Sequence, residues 1–356
     1  MSPAASPLVS IGMPVYNGER YLAAALESLL AQDYRDFELI VSDNASTDRT
    51  ADICWQFQKR DSRIRYIGRA QNQGSPWNFA SVVHEANGPY FMWAAYDDLR
   101  APSFIAKCVE KLEGHSDAVL CCTEMNFIDG QGQPNAEWTR KNFRNLDTDG
   151  MSPVQRVHPL IAFSGWFAIY GLMRLANTKK LSLGLSVQGW DVIFLMELLT
   201  MGNFVKVPEP LFSYRIAEKK TAADYQEEMN SPGKTAAATT TPSTDLAVNL
   251  IRVLYGSAFT DADKSAIFAD FIHTLTRSNT YWREQITSEL LGANVRLDDS
   301  RFAELLNLTL SRAVPCKFFR SNPLLGLPAG GPSESGYLLQ IAGNLALAAR
   351  GQATDG

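Results

Sequence analysis

Short apolar runs alternate with segments of helical periodicity up to about residue 130, and this alternation limits the possible folds more than any other feature of the chain. The apolar runs are residues 8–15, 37–41, 63–68, 89–95 and 118–122. Strands that alternate with helices in this way are typical of a mainly parallel sheet covered on both faces. The sequence therefore predicts an α/β fold with a doubly wound, mainly parallel sheet and helices on both faces.

Three loops of this pattern are polar or acidic directly after a buried run. They are VYNGE at 15–19, SDNASTD at 42–48 and YDDLRAP at 96–102. In open α/β sheets, ligands bind beyond the carboxyl ends of the strands. We therefore expect these three loops to meet at a binding site.

The domain pattern extends to about residue 216, with a further helix predicted at 190–201 and strands near 203–207 and 211–215. The composition then changes. From Thr221 to Thr244 there is no Leu, Ile, Val, Phe or Trp, and Thr and Ala make up 11 of the 24 residues. Such a segment buries little apolar surface. We predict a first domain over 1–216 and a flexible linker over 217–244.

Beyond the linker the apolar spacing is helical, which predicts a helical C-terminal region over 245–350 and a disordered tail over 351–356. The helical patterns lie at 245–258, 261–291, 299–313 and 334–350. The segment CKFFRSNPLLGL at 316–327 mixes basic and bulky apolar residues. It could touch a membrane surface or, by preference, form a buried helix junction.

Charge and cysteine usage exclude several classes of protein. The chain has 33 basic and 38 acidic residues, a net charge of −5, which argues against nucleic-acid or anionic-membrane binding driven by bulk charge. Its five cysteines include no Cys-x-x-Cys pair, so neither a disulfide framework nor a zinc site is expected. The N-terminus shows no secretory pattern. These features predict a soluble, cytoplasmic protein.

Asp97 and Asp98 follow the apolar run FMWAA. Two adjacent carboxylates repel each other and have no hydrophobic role, but they suit a hard cation such as Mg²⁺ or Mn²⁺ that bridges to a diphosphate. A solvated turn that caps the next helix is the competing interpretation.

Asp43, at the end of the second predicted strand, could accept a hydrogen bond from a base or ribose, or form an Asx turn. Asp191 could be a general base or a first-turn helix residue.

The characteristic motifs of several enzyme classes are absent from the sequence. The chain contains no Gly-x-x-x-x-Gly-Lys-Ser/Thr, no Gly-x-Gly-x-x-Gly and no Gly-x-Ser-x-Gly. P-loop NTPases, dinucleotide dehydrogenases and α/β-hydrolases are therefore disfavoured.

An ordered series of motifs resembles the family 2 glycosyltransferases of GT-A fold. The series is VSIGMPVYNGERYLAAALESLLAQDY, DFELIVSDNASTDRT, NQGSPWNFA and FMWAAYDDLRAPSF. The likeness covers about residues 8–215, and within the family it is greatest to bacterial enzymes that build surface polysaccharides or lipopolysaccharide. The order and spacing of the four motifs are far more specific than any one of them.

This resemblance implies donor-binding, metal-binding and catalytic roles for particular residues. Lining of the nucleotide pocket is implied for Pro14, Val15 and Tyr16, and contact with the base for Asp43. Asp98 would ligate the cation, with Asp97 reaching the ribose or the water shell of the metal. The position of Asp191 matches the catalytic base of the family, and Arg215 matches a basic residue near the diphosphate.

The implied reaction is an inverting displacement that depends on Mn²⁺ or Mg²⁺. The donor would be a nucleoside-diphosphate sugar, with UDP favoured and dTDP or GDP as alternatives. The acceptor would be a glycan or a lipid-linked glycan, which would place the enzyme in the cytoplasm or at the inner face of the plasma membrane. The C-terminal helices, which lie outside the resemblance, could bind a partner, form a homo-oligomer, contact the membrane or close over the acceptor.

The chain departs from the family pattern in two places. Asn44 stands where a second aspartate is commoner, and Ile216, Ala217 and Glu218 stand where relatives often carry a metal-binding histidine. The missing histidine leaves open a catalytically inactive module that binds a nucleotide sugar or glycan. A second alternative is a nucleotidyltransferase, which also uses a metal and a doubly wound sheet. The loop VYNGER is not the Gly-rich, basic first loop expected of the latter.

Overall fold

The computed structural model describes residues 8–140, 145–163, 165–185, 187, 189–216, 241–292 and 295–311. The strands are β1 (Val9–Val15), β2 (Phe37–Asp43), β3 (Ile64–Gly68), β4 (Tyr90–Trp93), β5 (Leu99–Arg100), β6 (Ala118–Ile128), β7 (Leu172–Arg174) and β8 (Asn203–Arg215). The helices up to residue 216 are α1 (Leu22–Leu30), α2 (Thr50–Arg60), α3 (Ser75–His84), α4 (Phe104–Glu113), α5 (Ala136–Arg140), α6 (Pro153–Phe163), α7 (Leu175–Thr178) and α8 (Trp190–Met201), with a 3₁₀ helix at Trp166–Tyr170. The helices from residue 241 onwards are α9 (Pro242–Gly256), α10 (Asp261–Arg277), α11 (Thr280–Leu291) and α12 (Asp299–Ser311).

One sheet of eight strands forms the centre of the molecule, in the order β3-β2-β1-β4-β7-β6-β8-β5. Strands β3, β2, β1 and β4 pair in parallel, as do β6 and β8. The short strands β7 and β5 run antiparallel to their neighbours. The prediction of an α/β fold with a mainly parallel sheet is confirmed.

Helices cover the sheet because its strands are apolar on both faces. Every residue of β1 is buried, and α1 faces the sheet with Leu22, Leu26 and Leu29 at helical spacing. The helix α8 was predicted with its observed bounds, and it is apolar on nearly all sides. It packs against β6 on one side and α9 on the other, which explains this composition.

Gly12 of β1 allows α3 to approach the sheet closely. A Cβ atom at this position would lie 2.6 Å from Cγ2 of Val82 in α3 and 2.9 Å from Cε2 of Phe91 in β4. We expect Gly12→Ala to lower the free energy of unfolding by about 1–3 kcal/mol, a typical effect of overpacking a core. Urea denaturation measures this. The control is Gly256→Ala, because a Cβ there meets nothing within 4 Å. Equal stability of the two variants would contradict this account of the packing.

The C-terminal helices that the structure describes, α9 to α12, share a hydrophobic core with the sheet domain. Phe194 of α8, Leu250 of α9 and Phe271 of α10 belong to one buried cluster. The helix predicted at 261–291 is two helices, α10 and α11. The break occurs because Asn279 caps α11, its side chain accepting a hydrogen bond from the backbone N–H of Trp282.

The observed boundaries of two further elements differ from the predicted ones. The strands expected at 203–207 and 211–215 form the single strand β8. Its pairing with β6 does not end at Pro208 and Pro210, because the register shifts around Glu124 and pairing then continues. Helix α9 begins at Pro242, inside the stretch predicted as linker, because proline is well suited to the first helical turn.

Several predictions concern residues outside the described part of the chain. They are the linker over 217–240, the segment 316–327, the helix at 334–350 and the tail at 351–356. Within the described residues, no helix is both long and apolar enough to cross a bilayer. Four cysteines there are free and buried, namely Cys54, Cys108, Cys121 and Cys122.

Candidate active site

A cleft of about 600 Å³ opens where the loops after β1, β2 and β4 meet the start of α8 and the end of β8. It contains nearly all of the residues that the sequence singled out. The predicted site residues that line it are Pro14, Val15, Tyr16, Asp97, Asp98, Asp191 and Arg215. Asp43 is not among the lining residues.

The loops after β1 and β2 are held together by side-chain hydrogen bonds. The backbone N–H of Asn17 donates to Oγ of Ser46 at 2.9 Å, and the N–H of Thr47 donates to Oδ1 of Asn17 at 2.9 Å. Asn17 adopts a positive φ of 50°. Asparagine tolerates this conformation better than most residues. These bonds position Tyr16 at the edge of the cleft.

The carboxylate of Asp43 is bound by the loop that follows β2 and by Tyr66. Asp43 is only 3% exposed, and its carboxylate accepts hydrogen bonds from the N–H of Ser46 at 2.9 Å and from the hydroxyl of Tyr66 at 2.8 Å. Burial and this carboxylate raise the pKa of Tyr66 well above its usual value. The geometry is that of a residue that supports the loop, so direct contact between Asp43 and a base stays a prediction.

Three asparagines line the part of the cleft next to Asp43, and sequence reasoning assigned none of them. Asn44 donates from Nδ2 to Oδ1 of Asn72 at 2.8 Å and accepts at Oδ1 from the N–H of Gln73 at 2.9 Å. Asn78 donates to the carbonyl of Ser42 at 2.9 Å. No role was predicted for Asn44, because aspartate is commoner at this position in the family. Its position directly after β2 is the sequence feature that indicates a place in the cleft.

Asp98 is the most unusual group in the cleft. It is 3% exposed, and its Oδ1 accepts from the N–H of Arg215 at 2.8 Å. Its Oδ2 is buried and has no hydrogen-bond partner among the described residues. Burial and the adjacent charge of Asp97 raise the pKa of Asp98 to about 8, although Arg100 and Arg215 act in the opposite direction. Burial therefore favours the neutral form of this carboxyl unless a cation compensates its charge.

Arg215, at the end of β8, binds the acidic loop, which is the loop after β4 that carries Asp97 and Asp98. Its Nε donates to the carbonyl of Asp97 at 2.7 Å, its Nη1 donates to the carbonyl of Asp129 at 2.8 Å, and its guanidinium lies 4.6 Å from the ring centre of Tyr21. Arg215 is therefore a positioning residue for Asp97 and Asp98 as well as a cation at the cleft.

Arg100, a residue that sequence reasoning missed, lies buried behind the same loop, 3.9 Å from the ring centre of Phe212. Burial lowers the pKa of Arg100 to about 10, although the charge of Asp98 opposes this. Its charge therefore compensates part of the negative charge of the two aspartates.

The acidic pair fits a divalent cation. A buried carboxylate oxygen without a partner is costly unless a cation or a donor satisfies it. Carboxylate oxygens are the ligands that Mg²⁺ and Mn²⁺ prefer. Within the described residues, no group of three or more His, Cys, Asp or Glu side chains is placed to hold a metal. Asp97 and Asp98 would therefore share the cation with phosphate oxygens and water.

Asp191 lies in the first turn of α8. The turn is possible because Gly189 adopts a positive φ of 74°, where a Cβ would also meet Leu246 at 2.8 Å. The Oδ1 of Asp191 accepts from the N–H of Val192 at 3.0 Å. Burial raises the pKa of Asp191. The side chain is thus a stronger base than an ordinary aspartate, and it faces a cleft that also contains Asp97 and Asp98.

The raised pKa of Asp98 predicts how stability depends on pH in metal-free protein. Between about pH 4 and pH 8 the folded state keeps a proton that the unfolded state releases, so the free energy of unfolding falls as pH rises through this window. We expect wild type to lose up to about 3 kcal/mol more than Asp98→Asn between pH 5 and pH 8. Urea denaturation in EDTA measures both. Parallel pH curves for the two proteins would contradict this assignment.

Comparison with known proteins shows what part of this chain is similar to. Residues 10–166 match the family model described as Glycosyl transferase family 2. A Haemophilus influenzae protein named as an uncharacterized glycosyltransferase is 26% identical over 238 residues, which are 64% of this chain and 71% of that protein. The chain spans less than half the length of five further curated relatives that it matches.

Solved structures show the same fold. S. aureus TarS 1–349 in complex with UDP-GlcNAc superposes with a TM-score of 0.62 at 17% identity and covers 97% of this chain and 92% of its own. The mannosyltransferase PcManGT from Pyrobaculum calidifontis, in complex with GDP-Man and Mn²⁺, gives a TM-score of 0.51 at 14% identity, with 97% and 88% covered. The chain therefore has the GT-A fold, and its residues 10–166 are similar to glycosyl transferase family 2.

Proposed function

We propose that this chain is a metal-dependent, inverting glycosyltransferase that moves a sugar from a nucleoside-diphosphate sugar to a hydroxyl group of a glycan or lipid-linked glycan. The observation that carries the proposal is the buried, unpartnered Oδ2 of Asp98 in a cleft that also contains Asp191. Asp98 is suited to binding a cation, and Asp191 is suited to accepting a proton. A metal-dependent inverting transfer uses both in one cavity.

The donor side of the cleft is formed by the ends of β1 and β2 and by the acidic loop. Pro14, Val15 and Tyr16 form a wall for the nucleoside, and Asn72 adds polar atoms there. Asp97 and Asp98 would hold Mn²⁺ or Mg²⁺ against the diphosphate, where the cation would supply positive charge to the leaving oxygens. Structural relatives crystallised with UDP-GlcNAc and with GDP-Man and Mn²⁺ support this arrangement. We favour UDP as the nucleotide.

Asp191 acts as the general base. Its carboxylate accepts the proton of the acceptor hydroxyl, the acceptor oxygen forms a new bond to the anomeric carbon, and the bond from that carbon to the diphosphate oxygen breaks. The nucleoside diphosphate leaves with the bonding electron pair from the opposite face of the sugar. The anomeric configuration is therefore inverted. The raised pKa of Asp191 suits this role because it makes the carboxylate a stronger base.

The biological setting we propose is the synthesis of bacterial surface polysaccharide, including lipopolysaccharide, at the cytoplasmic side of the membrane. The motif resemblance supports it, since the likeness to enzymes of this kind is greatest within the family.

The test is turnover with a panel of UDP-, GDP-, dTDP- and CDP-sugars, each with Mn²⁺, Mg²⁺ or EDTA. Release of the nucleoside diphosphate is measured with and without a mixture of neutral oligosaccharides, and NMR of the product gives its anomeric configuration. We expect one nucleotide class to be used, with loss of release in EDTA. Nucleotide binding without release would instead favour the inactive binding module. Retention of configuration would reject the inverting mechanism.

A further inference from the structure

A cluster of aromatic side chains forms one side of the cleft, and the proposed reaction leaves it without a role. Trp138, Trp166 and Tyr214 line the cleft and are each partly exposed; we call these three residues the aromatic wall. Phe127 is buried behind them, with ring centres 5.7 Å from Trp138 and 6.2 Å from Tyr214. The wall is thus a supported surface rather than a set of isolated side chains.

The orientation of Trp166 is set by its neighbours. Its ring stacks on Phe167 with centres 3.9 Å apart and an interplanar angle of 27°, and it meets the edge of Tyr214 at 5.5 Å. Phe167 itself is buried and contacts Phe127 at 5.8 Å. A rigid, partly exposed aromatic surface provides contact area at little entropic cost.

The aromatic wall lies near the groups that carry out the proposed reaction. Tyr170, in the same 3₁₀ helix as Trp166, also lines the cleft, and this 3₁₀ helix packs against α8, which carries Asp191. The donor nucleoside is assigned to other residues of the cleft, at the ends of β1 and β2. The aromatic wall and Asp191 line the same cleft, which an acceptor hydroxyl must enter.

The charge of the cleft restricts what can bind there. Its described lining contains three carboxylates, from Asp97, Asp98 and Asp191, and a single cation, Arg215. The guanidinium of Arg215 already donates to the backbone carbonyls of Asp97 and Asp129. A divalent cation would be balanced by the diphosphate of the donor. An acceptor rich in phosphate would meet repulsion, whereas a neutral one would not.

We propose that the aromatic wall is the acceptor subsite and that it binds an uncharged pyranose ring of a glycan. A pyranose has a face of C–H groups, which packs on an aromatic ring, and a rim of hydroxyl groups, one of which would face Asp191. This inference rests on the glycosyltransferase function proposed above. It goes further by naming the class of acceptor and the residues that select it.

The kinetic test uses Trp166→Ala and Trp138→Ala with the donor and acceptor found in the panel. We expect the acceptor KM to rise about tenfold in each, because an aromatic contact is lost, while the donor KM stays unchanged. Trp166→Phe, which keeps an aromatic face, should recover most of the acceptor affinity. The control is Tyr281→Ala, a ring that is 73% exposed on α11. A change in donor KM alone would overturn the proposal.

Binding without turnover separates this inference from the proposed function. Saturation-transfer NMR, with UDP and Mn²⁺ present, is recorded for cellotetraose, maltotetraose and chitotetraose and for poly(glycerol phosphate). We expect signals from at least one neutral oligosaccharide, lost in Trp166→Ala and Trp138→Ala, and weaker signals from the phosphate polymer. A preference for the polymer, no neutral binding, or unchanged signals in folded variants would overturn it. Failure of the proposed function would show instead as no nucleotide release.

Discussion

Asp191→Asn is expected to lose about 10²- to 10⁴-fold in kcat while it binds the donor as tightly as wild type. The amide has nearly the same shape as the carboxylate and keeps an oxygen for the hydrogen bond from the N–H of Val192. It cannot accept the proton of the acceptor hydroxyl. Steady-state kinetics gives kcat, and calorimetry with the nucleoside diphosphate and Mn²⁺ gives the dissociation constant.

The matched control is Asp261→Asn. Asp261 also lies in the first turn of a helix, α10, but it is exposed and does not line the cleft. Both substitutions remove the same favourable interaction with the helix dipole. A large loss of kcat in Asp191→Asn and not in Asp261→Asn therefore isolates the chemical role. If Asp191→Asn turns over at the wild-type rate, another group must be the base.

Asp98→Asn is expected to lose most of the stabilisation that Mn²⁺ and nucleotide together give to wild type. A ligand that binds only the folded state at about 100 times its dissociation constant adds about 2.7 kcal/mol to the free energy of unfolding. The substitution removes the negative charge from a buried group whose Oδ2 has no partner among the described residues. Thermal unfolding with nucleotide, in Mn²⁺ and in EDTA, measures the metal-dependent part.

Asp36→Asn serves as the control, since Asp36 is exposed and precedes β2, at the end of the strand away from the cleft. It should keep the whole metal-dependent increment. Metal removal by EDTA should bring wild type to the level of Asp98→Asn in the presence of nucleotide. A full Mn²⁺-dependent increment in Asp98→Asn would show that the cation is held without this carboxylate.

Much of the sheet domain could be predicted because its signals are local. The apolar run at 8–15 and the helical spacing that follows it predict β1 and α1 from residues that are neighbours in sequence. Proline at the start of α9 and asparagine before α11 are also local signals. The break between α10 and α11 was nevertheless missed, because apolar residues with helical spacing continue on both sides of Asn279.

The loops of the candidate site were predictable for a topological reason. In a mainly parallel sheet, the carboxyl ends of neighbouring strands meet at one edge, so polar residues after β1, β2 and β4 must lie close together. The presence of Pro14, Tyr16, Asp97 and Asp98 in one cleft follows from this rule. The inclusion of Asp191, which is far away in sequence, came from the motif resemblance rather than from any local pattern.

The alternation of strands and helices up to about residue 130, the position of the acidic pair and the family likeness were determined by the sequence alone, because each depends on residue types at short spacing. Only the tertiary structure decided that Asp43 faces Tyr66, that Oδ2 of Asp98 is buried without a partner, and that the C-terminal helices share the core of the sheet domain. It also decided that Trp138, Trp166 and Tyr214 form one wall. Side-chain direction and burial depend on residues distant in sequence, which no local pattern records.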